Sequence, residues 1–136
     1  MFTSATHAES AFYRAFENSD IEAMMAVWAL DPNIACIHPM GRRLMGRDDI
    51  HQSWVEIFQG QSTVNFQLTD VKIVETAELS VRIVEENISF SSTQHAVVLA
   101  TNVYKLTATG WQMFLHHGSP TSAAMKCDTH VRSSLH

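Results

Sequence analysis

The sequence predicts an α+β fold: three N-terminal helices packed on one face of a curved antiparallel sheet, together forming a cone. Three observations predict it. Up to Gly60, apolar residues recur with helical spacing. After Gly60 the texture changes to β-branched residues with a period of two. The links between the later apolar runs are only three or four residues long, which suits antiparallel hairpins.

Thr6-x-x-Glu9 and Ser19-x-x-Glu22 are capping-box patterns, and each opens a helical stretch. The first helix has an apolar face of Ala8, Phe12, Ala15 and Phe16, with Tyr13 beside it. In the second, Ile21, Met24, Met25 and Trp28 follow i, i+3, i+4, i+7 spacing, and Asp31-Pro32-Asn33 stops it. Ala35 to Ile37 then read as a short buried strand that ends at His38 and turns on Pro39-Met40-Gly41. A third helix fits Asp48 to Phe58, burying Ile50, Trp54, Ile57 and Phe58, with Asp48 and Asp49 in the first turn where the helix dipole favours negative charge. Strand-like runs follow at 63–74, 79–91, 94–107 and 111–117. Strands this long in a small domain imply strong twist and curvature. Their alternation is only partly polar, with Val81 and Ile83 on one face against Val84, Ile88 and Phe90 on the other. An outer face that is also apolar is expected to be covered by a second copy, so a homodimer through the outer sheet face is predicted. Residues 1–120 form the expected domain. The small, polar segment 121–136 is expected to lie on the surface or on a partner.

A chain of 136 residues with 46% hydrophobic and 17% charged residues is a single folded domain. Its net charge of -5 and its nine scattered Lys and Arg argue against nucleic acid as a partner. The two cysteines, Cys36 and Cys127, form no Cys-x-x-Cys motif and suggest no disulfide framework. The start of the chain has no basic region followed by an apolar run, and no segment is long enough to cross a bilayer, so a cytoplasmic protein with no membrane contact is expected.

His38 is the principal candidate for chemistry, because histidine exchanges a proton near neutral pH without help. Two readings are open for it: a general base lining a pocket, or a hydrogen-bonded residue at a strand end. Asp31 is most simply a turn residue, and alternatively the carboxylate that orients His38. Glu86 shares strand parity with Val84 and Ile88, which aims a carboxylate into an apolar face. Asn102, by the same alternation with Ala100 and Tyr104, brings an inward amide that needs a partner. His116 and His117 point to opposite faces of a regular strand, so one of them faces inward. Trp28 and Trp54 read as core residues that also flank the site. No close ligand spacing supports a metal, and no cofactor is expected.

The order of elements resembles the nuclear transport factor 2-like superfamily, closest to its SnoaL-like and ketosteroid isomerase-like branch. The resemblance spans about residues 6 to 120. It is carried by Trp28-Ala29-Leu30-Asp31, His38-Pro39-Met40-Gly41 and Leu44-Met45-Gly46-Arg47. Later carriers are Ala100-Thr101-Asn102-Val103-Tyr104, Gly110-Trp111 and His116-His117-Gly118-Ser119-Pro120. It implies a cone-shaped cystatin-like or NTF2-like fold. In ketosteroid isomerases the matching strand ends in Asp-Pro-x-Gly and the aspartate is the general base, facing an oxyanion hole of a tyrosine and a protonated aspartate. His38 stands at the base position here, Tyr13 lies where the tyrosine is expected, and Asn102 or Glu86 would supply a second donor.

The resemblance thus implies a domain for a small apolar or partly polar molecule, of isomerase, dehydratase or hydrolase type. His38 would move the proton, and Tyr13, Trp28, Met40, Trp54, Glu86, Asn102 and His116 would line the site. The alternative is a non-catalytic ligand-binding or oligomerisation domain. A polyketide-tailoring cyclase is a third possibility.

Overall fold

The computed structural model describes residues 1–61 and 63–122. Among the described residues three helices, α1 (Ala5–Asn18), α2 (Ile21–Val27) and α3 (Arg47–Gly60), pack on a six-stranded sheet. Its strands are β1 (Ala35–Ile37), β2 (Leu44–Met45), β3 (Asn65–Glu75), β4 (Leu79–Ser89), β5 (His95–Thr107) and β6 (Gly110–Pro120). The spatial order is β2-β1-β6-β5-β4-β3, so the sheet is open, with β2 and β3 at its edges. All pairings are antiparallel except β1 with β6, which is parallel and sets Cys36 beside His116. The expected extension 121–136 lies outside the described residues from position 123 onward, as does Cys127.

The helix starts are offset from the capping boxes read in the sequence. Ser4, not Thr6, caps α1, its hydroxyl accepting the His7 N–H at 3.0 Å. Ser19 is left-handed (φ 49°) and ends α1, so Asp20 caps α2 through the Ala23 N–H at 3.0 Å. Helix α2 also stops earlier than Asp31-Pro32 implied. The Arg47 side chain donates to the carbonyls of Met25 (2.7 Å), Trp28 (3.1 Å) and Ala29 (3.5 Å). Those bonds satisfy carbonyls a helix end leaves open, and Trp28 then bridges to Met113 of β6.

The core lies between the helices and the concave sheet face. Phe12, Phe16, Trp28, Trp54 and Met113 are all buried there. Pairing in β4 and β5 is regular, so Ser80, Arg82, Val84, Glu86 and Ile88 face inward with Val98, Ala100, Asn102 and Tyr104. In β6 the pairing slips at one point: Val103 opposes Leu115 but Tyr104 opposes Met113, leaving Phe114 as a bulge. Met113 and His116, three apart, therefore both face inward, and His117 faces out. A second bulge, at Asp70 (φ 47°), twists the edge strand β3. No helix among the described residues is long and apolar enough to cross a membrane.

The turn after His38 is closed by the Gly41 N–H donating to the His38 carbonyl at 2.8 Å. A Cβ at Gly41 would stand 3.0 Å from that carbonyl oxygen, which favours glycine there. Met40 has φ 65°, the left-handed conformation a type II turn asks of its third residue and glycine adopts most readily. Met40→Gly should therefore stabilise the protein by about 0.5–1 kcal/mol, read as a rise in the urea midpoint. A midpoint that falls would show that Met40 contributes packing the turn depends on.

Candidate functional site

His38 follows directly on β1 and is half-buried. Its ring meets Trp54 of α3 edge-on, with centroids 4.8 Å apart and planes at 90°. Its Nε2 lies 3.0 Å from the hydroxyl of Ser53, and the Cys36 thiol stands 3.5 Å from the same nitrogen. Burial pushes the Cys36 thiol up from its ordinary pKa, so it remains S–H and is not a ready nucleophile. Trp54 is held by Phe12 (5.7 Å), Phe16 (4.9 Å) and Phe58 (5.6 Å), and this aromatic cluster forms a rigid wall behind the imidazole.

Behind that wall runs a buried polar chain. His116 Nδ1 and Asn102 Oδ1 are 2.6 Å apart, Asn102 Nδ2 donates to the Tyr13 hydroxyl at 2.9 Å, and Tyr13 donates to Glu86 Oε2 at 2.7 Å. Asn102, His116 and Glu86 are fully buried. The directions agree along the chain: with the Asn102 amide donating to Tyr13, its oxygen accepts from a protonated His116 Nδ1. A bond to a carboxylate contributes about 1.5–3 kcal/mol, and an unmet buried group costs a similar amount, so the chain is stable only when complete. Burial, reinforced by the Glu86 carboxylate, holds the Tyr13 phenol well above its ordinary pKa. It therefore stays protonated as a donor. The His116 ring lies 6.2 Å from that of His38, 6.0 Å from Trp54 and 5.0 Å from Phe12.

Six of the residues singled out in the sequence therefore meet in one connected arrangement: Tyr13, Glu86, Asn102 and His116 by hydrogen bonds, and Trp54 by ring contact to both His116 and His38. Three others do not join it. The Asp31 carboxylate accepts the Asn33 N–H at 2.8 Å in a local turn, so it does not orient His38. Met40 stands 71% exposed at the turn rather than lining the interior. Trp28 is buried, but among the described residues it makes no ring contact with this cluster.

Ser53 was missed, and the sequence carries its signal. It falls between Ile50 and Trp54 at the i+3 position of a buried stripe, where a hydroxyl is out of place. Arg82 was missed as well. It is 4% exposed on the inner face of β4, paired with Glu9 at 3.1 Å and Glu75 at 3.3 Å, with its guanidinium also on Thr6 and Ser80. This second cluster ties the start of α1 to the sheet. Burial raises the Glu9 pKa despite the attraction of Arg82. A separate cleft of about 340 Å³ between α2 and α3 is lined by Ile21, Glu22, Met25, Arg47, Asp48 and His51 and contains none of the site residues. Among the described residues no group of three His, Cys, Asp or Glu could hold a metal ion.

Residues 6–123 match the SnoaL-like domain family. Among solved structures, the chain is similar to a candidate calcium/calmodulin-dependent protein kinase type II association domain from Thiobacillus denitrificans. The identity is 39% and the TM-score 0.84, with 89% of this chain and 98% of that one covered. It is similar as well to a candidate dehydratase of the NTF2-like family from Streptomyces avermitilis, at 32% identity and a TM-score of 0.76, covering 84% and 91%. Among curated proteins it matches the F-box protein SKIP8 of Arabidopsis thaliana, 23% identical over 111 residues. That match takes in 79% of this chain but only 46% of the plant protein, so the chain spans about half its length.

Proposed function

The chain belongs to the SnoaL-like family of NTF2-like domains, and on that premise we propose that it binds a small molecule at the His38 edge of the cone and transfers a proton there. One observation carries this reading. A half-buried imidazole is anchored by Ser53 and walled by Trp54, in front of a fully buried chain of polar side chains. Burying Glu86, Asn102 and His116 costs stability that Leu or Val in the same places would not cost. Their use is to hold groups in one geometry close to His38, the half-buried imidazole of the cluster. His38 would act as base and return the proton in an isomerase, dehydratase or hydrolase type of reaction. The Tyr13–Glu86 pair would fix the polarity of the interior. The likeness to a candidate dehydratase supports the same class.

Native mass spectrometry of freshly purified protein should show a retained small molecule of apolar or partly polar character. Turnover of that molecule, once identified, should fall about 10²–10⁴-fold in His38→Ala with the fold intact. Unchanged turnover would remove His38 from the mechanism.

A second reading is a non-catalytic association domain, favoured by the 39% identity to the Thiobacillus denitrificans protein. The outer sheet face supports it, because Val74, Ile83 and Leu99 are exposed there as large apolar residues. Under either reading the protein would be a homodimer through that face, in the cytoplasm where Cys36 stays a free thiol. Light scattering should return twice the chain mass, and Leu99→Arg should return one. A wild-type monomer would exclude the association reading.

A further inference from the structure

Ser53 has one hydroxyl hydrogen and two neighbours within reach of it. The Ile50 carbonyl, one helical turn back, is at 2.7 Å, and His38 Nε2 is at 3.0 Å. A carbonyl can only accept, and a serine within a helix commonly donates to a carbonyl one turn earlier. With its hydrogen on Ile50, the Ser53 oxygen has lone pairs left for His38, so the ring nitrogen must supply the hydrogen of the second bond. The Cys36 sulfur, 3.5 Å from Nε2 and 4.0 Å from Nδ1, is compatible with this as a weak acceptor sharing the same N–H. Asp31, the carboxylate expected to orient the ring, is engaged elsewhere.

We propose that Ser53 is the positioning residue for His38, holding it as the Nε2–H tautomer so that Nδ1 is the proton-accepting nitrogen. This rests on the reading of His38 as the proton-transfer group and adds a direction to it: of the two ring nitrogens, Nδ1 is the one whose lone pair takes the proton. Ser53 itself takes no part in bond making. Its oxygen is already engaged by the back-bond and by His38, and the hydroxyl keeps its proton.

Long-range proton–nitrogen correlation spectra of the uniformly ¹⁵N-labelled protein test the assignment directly, with the His38 signals identified by their loss in His38→Gln. The wild-type ring should show the Nε2–H pattern, with the two nitrogen shifts widely separated. In Ser53→Ala that separation should collapse toward the average of mixed tautomers. Ser53→Thr keeps the hydroxyl and should restore the wild-type pattern. An Nδ1–H pattern in the wild type would overturn the proposal, as would a ring unchanged by Ser53→Ala. If Ser53→Ala does not fold, the wild-type and Ser53→Thr spectra still decide. Where a substrate is in hand, the Ala variant should lose kcat more than it raises KM. Should His38→Ala leave turnover intact while the tautomer result holds, the proton-transfer reading fails and the Ser53 assignment stands.

Discussion

Carried past pH 10 while folded, the protein should develop almost no tyrosinate absorbance. It has two tyrosines, Tyr13 and Tyr104, and both are buried with pKa values well above the ordinary 10.0. Burial is the main cause for each, reinforced by Glu86 for Tyr13 and by Glu9 for Tyr104. The sign follows from linkage. Below about pH 10 folded and unfolded chains both hold the phenolic protons, and the contribution to stability is fully present. Above it the unfolded chain ionises first, so stability falls by about 1.4 kcal/mol per pH unit for each tyrosine, until the fold gives way. Absorbance should then rise in one cooperative step together with loss of circular dichroism. A gradual rise centred near pH 10 with the dichroism unchanged would mean that a tyrosine is open to solvent, and its persistence in Tyr104→Phe would mean that the Tyr13–Glu86 bond is not formed in solution.

Trp54→Ala should cost about 3–5 kcal/mol, a large share of the roughly 5–15 kcal/mol that holds a domain of this kind together. The indole is buried among Phe12, Phe16 and Phe58, so its removal would leave a cavity lined by those rings. The urea midpoint should fall accordingly with little change in slope, and any ligand seated against His38 should be lost with it. A loss below about 1 kcal/mol would mean that the aromatic wall rearranges readily and does not position the imidazole.

Most of the architecture was legible because periodicity is local. Parity alone aimed Glu86 and Asn102 inward, and the regular β4–β5 ladder places both there. In α3 the spacing identified Ile50 and Trp54, which are buried, while Ile57 and Phe58 are only half-buried and the helix runs to Gly60. What sequence could not give was who meets whom. Tyr13 and Glu86 lie 73 positions apart, and nothing in either segment announces the other. The same holds for Ser53 and His38, where a nearby aspartate offered a more obvious partner and a local turn claimed it. Caps were displaced by one or two residues because several Ser, Thr and Asp compete at each helix start. The parallel β1–β6 pair was invisible since β1 has only three residues.

The bulge at Phe114 separates the fate of the two faces of β6. Asn102 opposes His116 and Tyr104 opposes Met113, with the surplus residue lying between those pairs. Deleting Phe114 would restore an unbroken ladder, with His116 still opposite Asn102 and Met113 still opposite Tyr104. What would be lost is the Phe114 side chain itself, half-buried against the core with the Lys105 ammonium 4.3 Å above its ring. A change in chain length at this point can thus leave the inward pairs of β5 and β6 in register while it alters the packing around them.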